Sequence, residues 1–125
     1  MDYYVSSKVE KRGILAGMLL GFAYKRQHNF YIQQPAIAED YLLFKQRILE
    51  EITQKPVNVY NRYNKKGERL ICLEPKLIPL IRVLVKKLYP GGEKKITRDF
   101  LDLLSLPGIA ILFLDKGSKS FKKKR

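Results

Sequence analysis

The side chains here that can act on another molecule are mostly cations and aromatics. Twenty-five Lys and Arg stand against twelve Asp and Glu in 125 residues, a formal net charge of +13, alongside eight Tyr. An excess of this size on so short a chain favours a polyanionic partner, either nucleic acid or an anionic membrane surface. Other chemistries have little to rest on. The lone His28 stands next to an expected tight turn, where it suits solvent or a phosphate oxygen better than general-base work. The single Cys72 excludes an internal disulfide framework and a zinc thiolate cluster, and reads as a strand residue acting as a small hydrophobe. Glu39, Asp40, Glu50 and Glu51 read as helix-surface charges, and Asp99 and Asp102 as acids suited to the first turn of a helix. The GxSxG, phosphate-loop and HExxH patterns are absent.

These groups need elements to carry them. At 125 residues and 46% hydrophobic, the chain fits one domain with enough apolar material for a core. Residues 7–21 suit a helix with Ser6 or Ser7 as N-cap, in which Gly13, Gly17 and Gly21 recur every four residues. An interior Gly costs about 1 kcal/mol relative to Ala. Three on one stripe imply close approach of another backbone, with Ala16 beside them in the packing surface. Residues 23–25 and 29–34 form a short hairpin, with Phe30 and Ile32 inward and Asn29, Tyr31 and Gln33 outward.

An amphipathic helix spans 38–53, with Tyr41, Leu42, Phe44, Ile48, Leu49 and Ile52 as its apolar stripe. A second hairpin joins 57–63 to 68–73 through Asn64, Lys65, Lys66 and Gly67, with Val57 and Val59 toward the core. A third helix covers 75–89, with Pro79 bending its start and Pro90-Gly91-Gly92 ending it. Two short helices follow, at 97–104 with Thr97 as N-cap and at 108–114. The tail 118–125 is basic and expected to be solvated. The fold class expected is α+β, helices backing an antiparallel sheet.

The first residues are polar and precede the apolar run, so no signal peptide is apparent. The run 13–24 would rise only about 18 Å as a helix, too short for a hydrocarbon core of about 30 Å. The expectation is therefore no membrane span and an intracellular protein, in cytoplasm, nucleoid or organelle.

Two segments carry a resemblance. ILAGMLLG at 14–21 resembles the first signature helix of LAGLIDADG homing endonucleases, and LLSLPGIAILFLDKGSK at 103–119 resembles the second, in the branch with two motifs per chain. Between them, NFYIQQ at 29–34 followed by EDYL at 39–42 looks like that branch's first strand and following helix, and KKI at 94–96 leading into DFLDLL at 99–104 also fits. The resemblance implies a homing-endonuclease-like antiparallel β-sheet saddle backed by helices. Its two LAGLIDADG-type packing helices would be 8–22 and 107–117, with 29–104 as the saddle half and 118–125 as the basic tail. It also implies strands placed in the major groove of double-stranded DNA. The nucleic-acid-binding residues would then be Lys25, Arg26, His28, Asn29, Tyr31, Gln33, Asn58, Tyr60, Arg62 and Arg69, with Lys65 and Lys66 at a hairpin tip on phosphates.

The sequence departs from the family where the family cuts. Relatives hold divalent metal with one acid at the foot of each signature helix, since Mg²⁺ takes oxygen ligands, usually carboxylates plus substrate phosphate. The resemblance puts those positions at Phe22 and Lys116, neither of which can ligate a cation. Asp115 lies one residue away, about a 100° turn of the helix, and is expected to point elsewhere. Gln34 matches a Gln that orders the site in relatives. The expectation is no catalytic residue and no cofactor, with Mg²⁺ relevant only to a residual nuclease. The first hairpin is also trimmed. The sequence ends just after the second motif, so either that helix packs on the first within the chain or two chains pair as a homodimer.

The leading expectation is a duplex-DNA binder of this family without cleavage. Its rivals are an RNA-binding maturase-like intron cofactor stacking bases on Tyr31, Tyr60 and Tyr63, a residual endonuclease, and a module that dimerises through the glycine stripe.

Overall fold

The computed structural model describes residues 7–21 and 23–124, with side chains as far as 115. Helix α1 (Lys8–Leu20) begins at Ser7, whose Oγ accepts from the Glu10 backbone N–H at 3.1 Å, with Glu10 placing its charge in the first turn. Every residue from 13 to 20 is buried, so this helix is covered on both flanks. Strands β1 (Ala23–Arg26) and β2 (Asn29–Pro35) form a hairpin whose turn holds Gln27 at φ +54°. A short 3-10 turn (Ala36–Ala38) leads into α2 (Glu39–Thr53).

Strands β3 (Asn58–Tyr63) and β4 (Arg69–Glu74) make the second hairpin. Helices α3 (Pro79–Leu88), α4 (Arg98–Leu101) and α5 (Leu106–Lys124) complete the order. The four strands form one antiparallel sheet in the order β1-β2-β4-β3. Its inner face supplies Phe30, Ile32, Ile71 and Leu73 to a core closed by Leu15 and Leu19 of α1, Leu42 and Leu49 of α2, and Ile81 and Leu84 of α3. The α+β class and the expected hairpins are present.

Several bounds differ from the sequence expectation. The third helix starts at Pro79, not 75, because a proline at the first helical position needs no N–H partner. Thr97 caps α4 by accepting from the Phe100 N–H at 3.1 Å, but the helix ends at Leu101. The last helix is far longer than 108–114, and its backbone carries residues 118–124, expected as a tail, as further helical turns. Val59, expected in the core, is 45% exposed, because β3 is the sheet's edge strand and the side chain lies beyond the buried part of the inner face. Among the described residues, no helix is long and apolar enough to cross a membrane.

Candidate functional site

The glycine stripe is a helix junction, and it is filled from within the chain. A Cβ on Gly17 would overlap the Gly108 carbonyl, and one on Gly13 would meet Ser105 at 2.5 Å. Helix α5 therefore lies on α1 closely enough to touch backbone to backbone, which is what the small residues permit. Ala16 is fully buried in the core one position round from that stripe. Of the two arrangements open from the sequence, the second signature helix packs on the first within one chain. Helix α5 turns Gly108, Ile111 and Asp115 inward, and leaves Leu106 and Phe113 exposed.

At the foot of this junction lies a buried polar cluster. A Cβ on Gly21 would strike the Asp115 carboxylate, so that carboxylate fills the space the glycine leaves. Asp115 Oδ1 accepts from Lys45 Nζ at 2.7 Å and from the Tyr41 hydroxyl at 2.7 Å. Lys45 also donates to Gln34 Oε1 at 3.2 Å, and its ammonium sits 4.5 Å from the Tyr41 ring centre. Lys45, Asp115 and Gln34 are all buried. Burial pulls the Lys45 ammonium below its ordinary range, partly offset by the charge of Asp115. Burial, and then the hydrogen bond to Asp115, push the Tyr41 phenol well above its ordinary range.

A divalent cation does not fit this cluster. It would need oxygen ligands at about 2.0–2.1 Å for Mg²⁺, and Asp115 already spends one oxygen on an ammonium and a phenol. Among the described residues, no group of three or more His, Cys, Asp and Glu could hold a metal ion. Phe22 and Lys116 are expected at the two acid positions from the resemblance alone: Phe22 lies outside the described residues, as does the side chain of Lys116. Asp115 points into the helix junction, held there by Lys45, which sequence reasoning did not single out. A signal was available. Lys45 follows Leu42 by three and precedes Leu49 by four, so it occupies a core position on α2.

The second candidate surface is the outer face of the sheet. Side chains alternate along a strand, and the register puts Tyr24 opposite Tyr31, Gln33 opposite Cys72, and Cys72 opposite Tyr60 on that face. The Tyr24 and Tyr31 rings stack with centres 5.4 Å apart. The Arg26 and Arg62 guanidiniums lie 4.9 and 5.8 Å from the Tyr31 ring centre. Arg26 also pairs with Glu74 at 2.9 Å, and Tyr60 donates to the same carboxylate oxygen at 3.3 Å. Gln33 Oε1 receives Arg62 at 3.5 Å and the Cys72 thiol at 3.5 Å. Beneath this array Cys72 is fully buried, and burial pushes its thiol above the ordinary range.

The remaining expected contacts divide. Asn58 is exposed on the outer face, and Asn29 binds the Pro75 carbonyl at 2.8 Å. Lys65 and Lys66 are exposed at a turn closed by Asn64, whose side-chain oxygen accepts from the Lys66 and Glu68 N–H groups, each at 2.9 Å. His28 is exposed in the first turn. Two positions belong elsewhere. Arg69 pairs across from Tyr63 on the inner-face register and reaches Asn61 at 3.4 Å, and Lys25 pairs across from buried Phe30 and leans over the Tyr89 ring of the segment after α3. An even count along each strand decides this, once the register is fixed. Tyr63 shares the Arg69 side and cannot join Tyr31 and Tyr60.

Comparison with known proteins bears on the same elements. No curated protein matches the sequence. Among solved structures, the fold is similar to that of the homing endonuclease I-WcaI bound to its DNA recognition sequence, with a TM-score of 0.61 and 22% identity over 90% of this chain and 53% of that one. This chain thus spans about half the length of that protein, and at such identity the likeness speaks for the fold. The model of the LAGLIDADG DNA endonuclease family matches residues 12–125, from the first signature helix through the second. The chain belongs to the LAGLIDADG DNA endonuclease family.

Proposed function

We propose that this chain binds duplex DNA with the outer face of its sheet and does not cut it. The observation that carries the reading is the array around Tyr31, where Arg26, Arg62, Gln33 and Tyr60 present donors and flat surfaces from three strands of a chain with net charge +13. Arg and Gln suit bidentate contacts to base edges, and Lys65 and Lys66 suit phosphates. The DNA in the I-WcaI structure supports the partner class. Absence of cleavage rests on Asp115, whose carboxylate is engaged by Lys45 and Tyr41, and on the sequence resemblance, which puts Phe22 and Lys116 where relatives carry acids.

Fluorescence anisotropy with a random-sequence duplex at low salt tests the binding. Saturable binding that weakens steeply with salt is expected, and no binding at low salt overturns the reading. Intact supercoiled plasmid after incubation with Mg²⁺ or Mn²⁺ is the expected companion result, and nicking overturns the claim of no cleavage. A second reading, binding of unpaired RNA bases, is favoured by the Tyr24–Tyr31 stack, a platform that tolerates any base. Competition between structured RNA and duplex decides between them.

A further inference from the structure

A cleft of about 460 Å³ opens on the opposite side of β1 from the Tyr31 array, between the first hairpin turn and α3. Lys25, His28, Arg82, Lys86 and Tyr89 line it, and no carboxylate does among the described residues. Arg82 and Lys86 are exposed one helical turn apart on α3, so both ammonium and guanidinium face the same opening. Lys25 reaches it from β1, over the Tyr89 ring at 5.9 Å. Cations near the end of a helix also satisfy its dipole, which accounts for Lys86 alone. It does not account for Lys25, which comes from a strand, or for a lining without an acid among the described residues.

Strand β1 is an edge of the sheet, and its neighbouring residues Lys25 and Arg26 fall on opposite faces. Cations therefore line both sides of this edge. A phosphodiester backbone that left the outer face past β1 would meet the hairpin turn and then this cleft, since Gln27 and His28 of that turn also line it. We propose that the cleft binds the phosphate backbone of the same duplex beyond the sheet, with Arg82, Lys86 and Lys25 as its contacts, so that the footprint extends round the β1 edge. This rests on the sheet-face reading and adds a site to it.

The test compares the wild-type chain with Arg82→Ala/Lys86→Ala, both exposed positions on a helix that Ala favours. Binding is titrated against random-sequence duplexes of about 10 and about 40 base pairs over a salt series. On the long duplex the double variant should lose about tenfold in affinity, and its log–log salt slope should fall by about two, near 0.9 for each phosphate that is no longer neutralised. On the short duplex, about one helical turn, the two proteins should agree within about twofold. Equal affinity and slope on the long duplex overturn the cleft while leaving the sheet reading intact. An equal loss on both lengths overturns the extended footprint. Failure of the wild-type chain to bind either duplex overturns both readings together.

Discussion

Lys45 of α2 donates to Asp115 of α5 at 2.7 Å, with neither side chain reaching solvent, at the point where Gly21 ends α1. The pair ties three helices at the foot of the signature junction. Removing one partner of a buried pair leaves the other charged and unmatched, which costs about 3–5 kcal/mol. Lys45→Met and Asp115→Asn should each lose stability of that order in urea denaturation. The double variant should lose at least about 1 kcal/mol less than the sum, since the two share one interaction. Additive losses would mean that the two groups are not coupled.

Tyr41 gives a pH dependence with a definite sign. Its folded pKa is raised by burial and by Asp115, above the ordinary 10.0. The unfolded chain therefore loses that proton in alkali while the folded chain keeps it, so the group's contribution is complete below pH 10 and shrinks as pH rises beyond it. Lys45, with its pKa lowered, works in the opposite direction, but it is present in both proteins compared. Between about pH 9.5 and 11.5, wild type should lose more stability than Tyr41→Phe. Parallel curves in urea midpoints would contradict the assignment.

How much of this could be read from the chain follows from the kind of signal each feature leaves. The stripe Gly13, Gly17, Gly21 announces a close helix contact because interior glycines have an energetic penalty that needs a return. The alternation of Phe30 and Ile32 sets the inner face of β2. Charge rather than register groups Arg69 and Lys25 with the outer face, and only the pairing of Arg69 with Tyr63 and of Lys25 with Phe30 corrects that. Rotation along an isolated helix turns Asp115 away from the helix foot, but it says nothing about which flank a neighbour will cover. Its partner Lys45 comes from 70 residues earlier, a distance that local periodicity does not span.

The junction itself predicts an inverted outcome at Gly17. In a free helix Gly→Ala gains about 1 kcal/mol. Here the added Cβ overlaps the Gly108 carbonyl, which is backbone and cannot swing aside. Overpacking of that kind costs about 1–3 kcal/mol, so Gly17→Ala should lower the thermal midpoint, and Gly108→Ala, whose Cβ would overlap the Gly13 carbonyl, should do the same. A raised midpoint in either variant would show that α5 does not sit on α1.

Metal should leave the fold indifferent. A ligand that binds only the folded state stabilises it by RT ln(1 + [L]/Kd), and Asp115 Oδ1 is already engaged by the Lys45 ammonium and the Tyr41 hydroxyl. Thermal midpoints with about 10 mM Mg²⁺ and with chelator should agree within about 1 °C. In Lys45→Ala the carboxylate loses its ammonium, and any Mg²⁺-dependent rise should appear there first. A clear rise in wild type would place a cation at the junction after all.

Arg62 and Arg69 separate surface from charge. Each substitution by Ala removes one positive charge from the β3–β4 hairpin, so long-range attraction falls equally. Only Arg62 stands on the outer face, over Tyr31 and bonded to Gln33, while Arg69 lies on the inner-face side against Asn61. A contact made in the groove is worth about 1–3 kcal/mol, so Arg62→Ala should weaken duplex binding by about tenfold or more. Arg69→Ala should stay within about threefold of wild type, the loss of a distant charge screened over a Debye length of about 8 Å at physiological salt. Equal losses at both positions would mean that the hairpin attracts DNA by charge alone and that its outer face reads nothing.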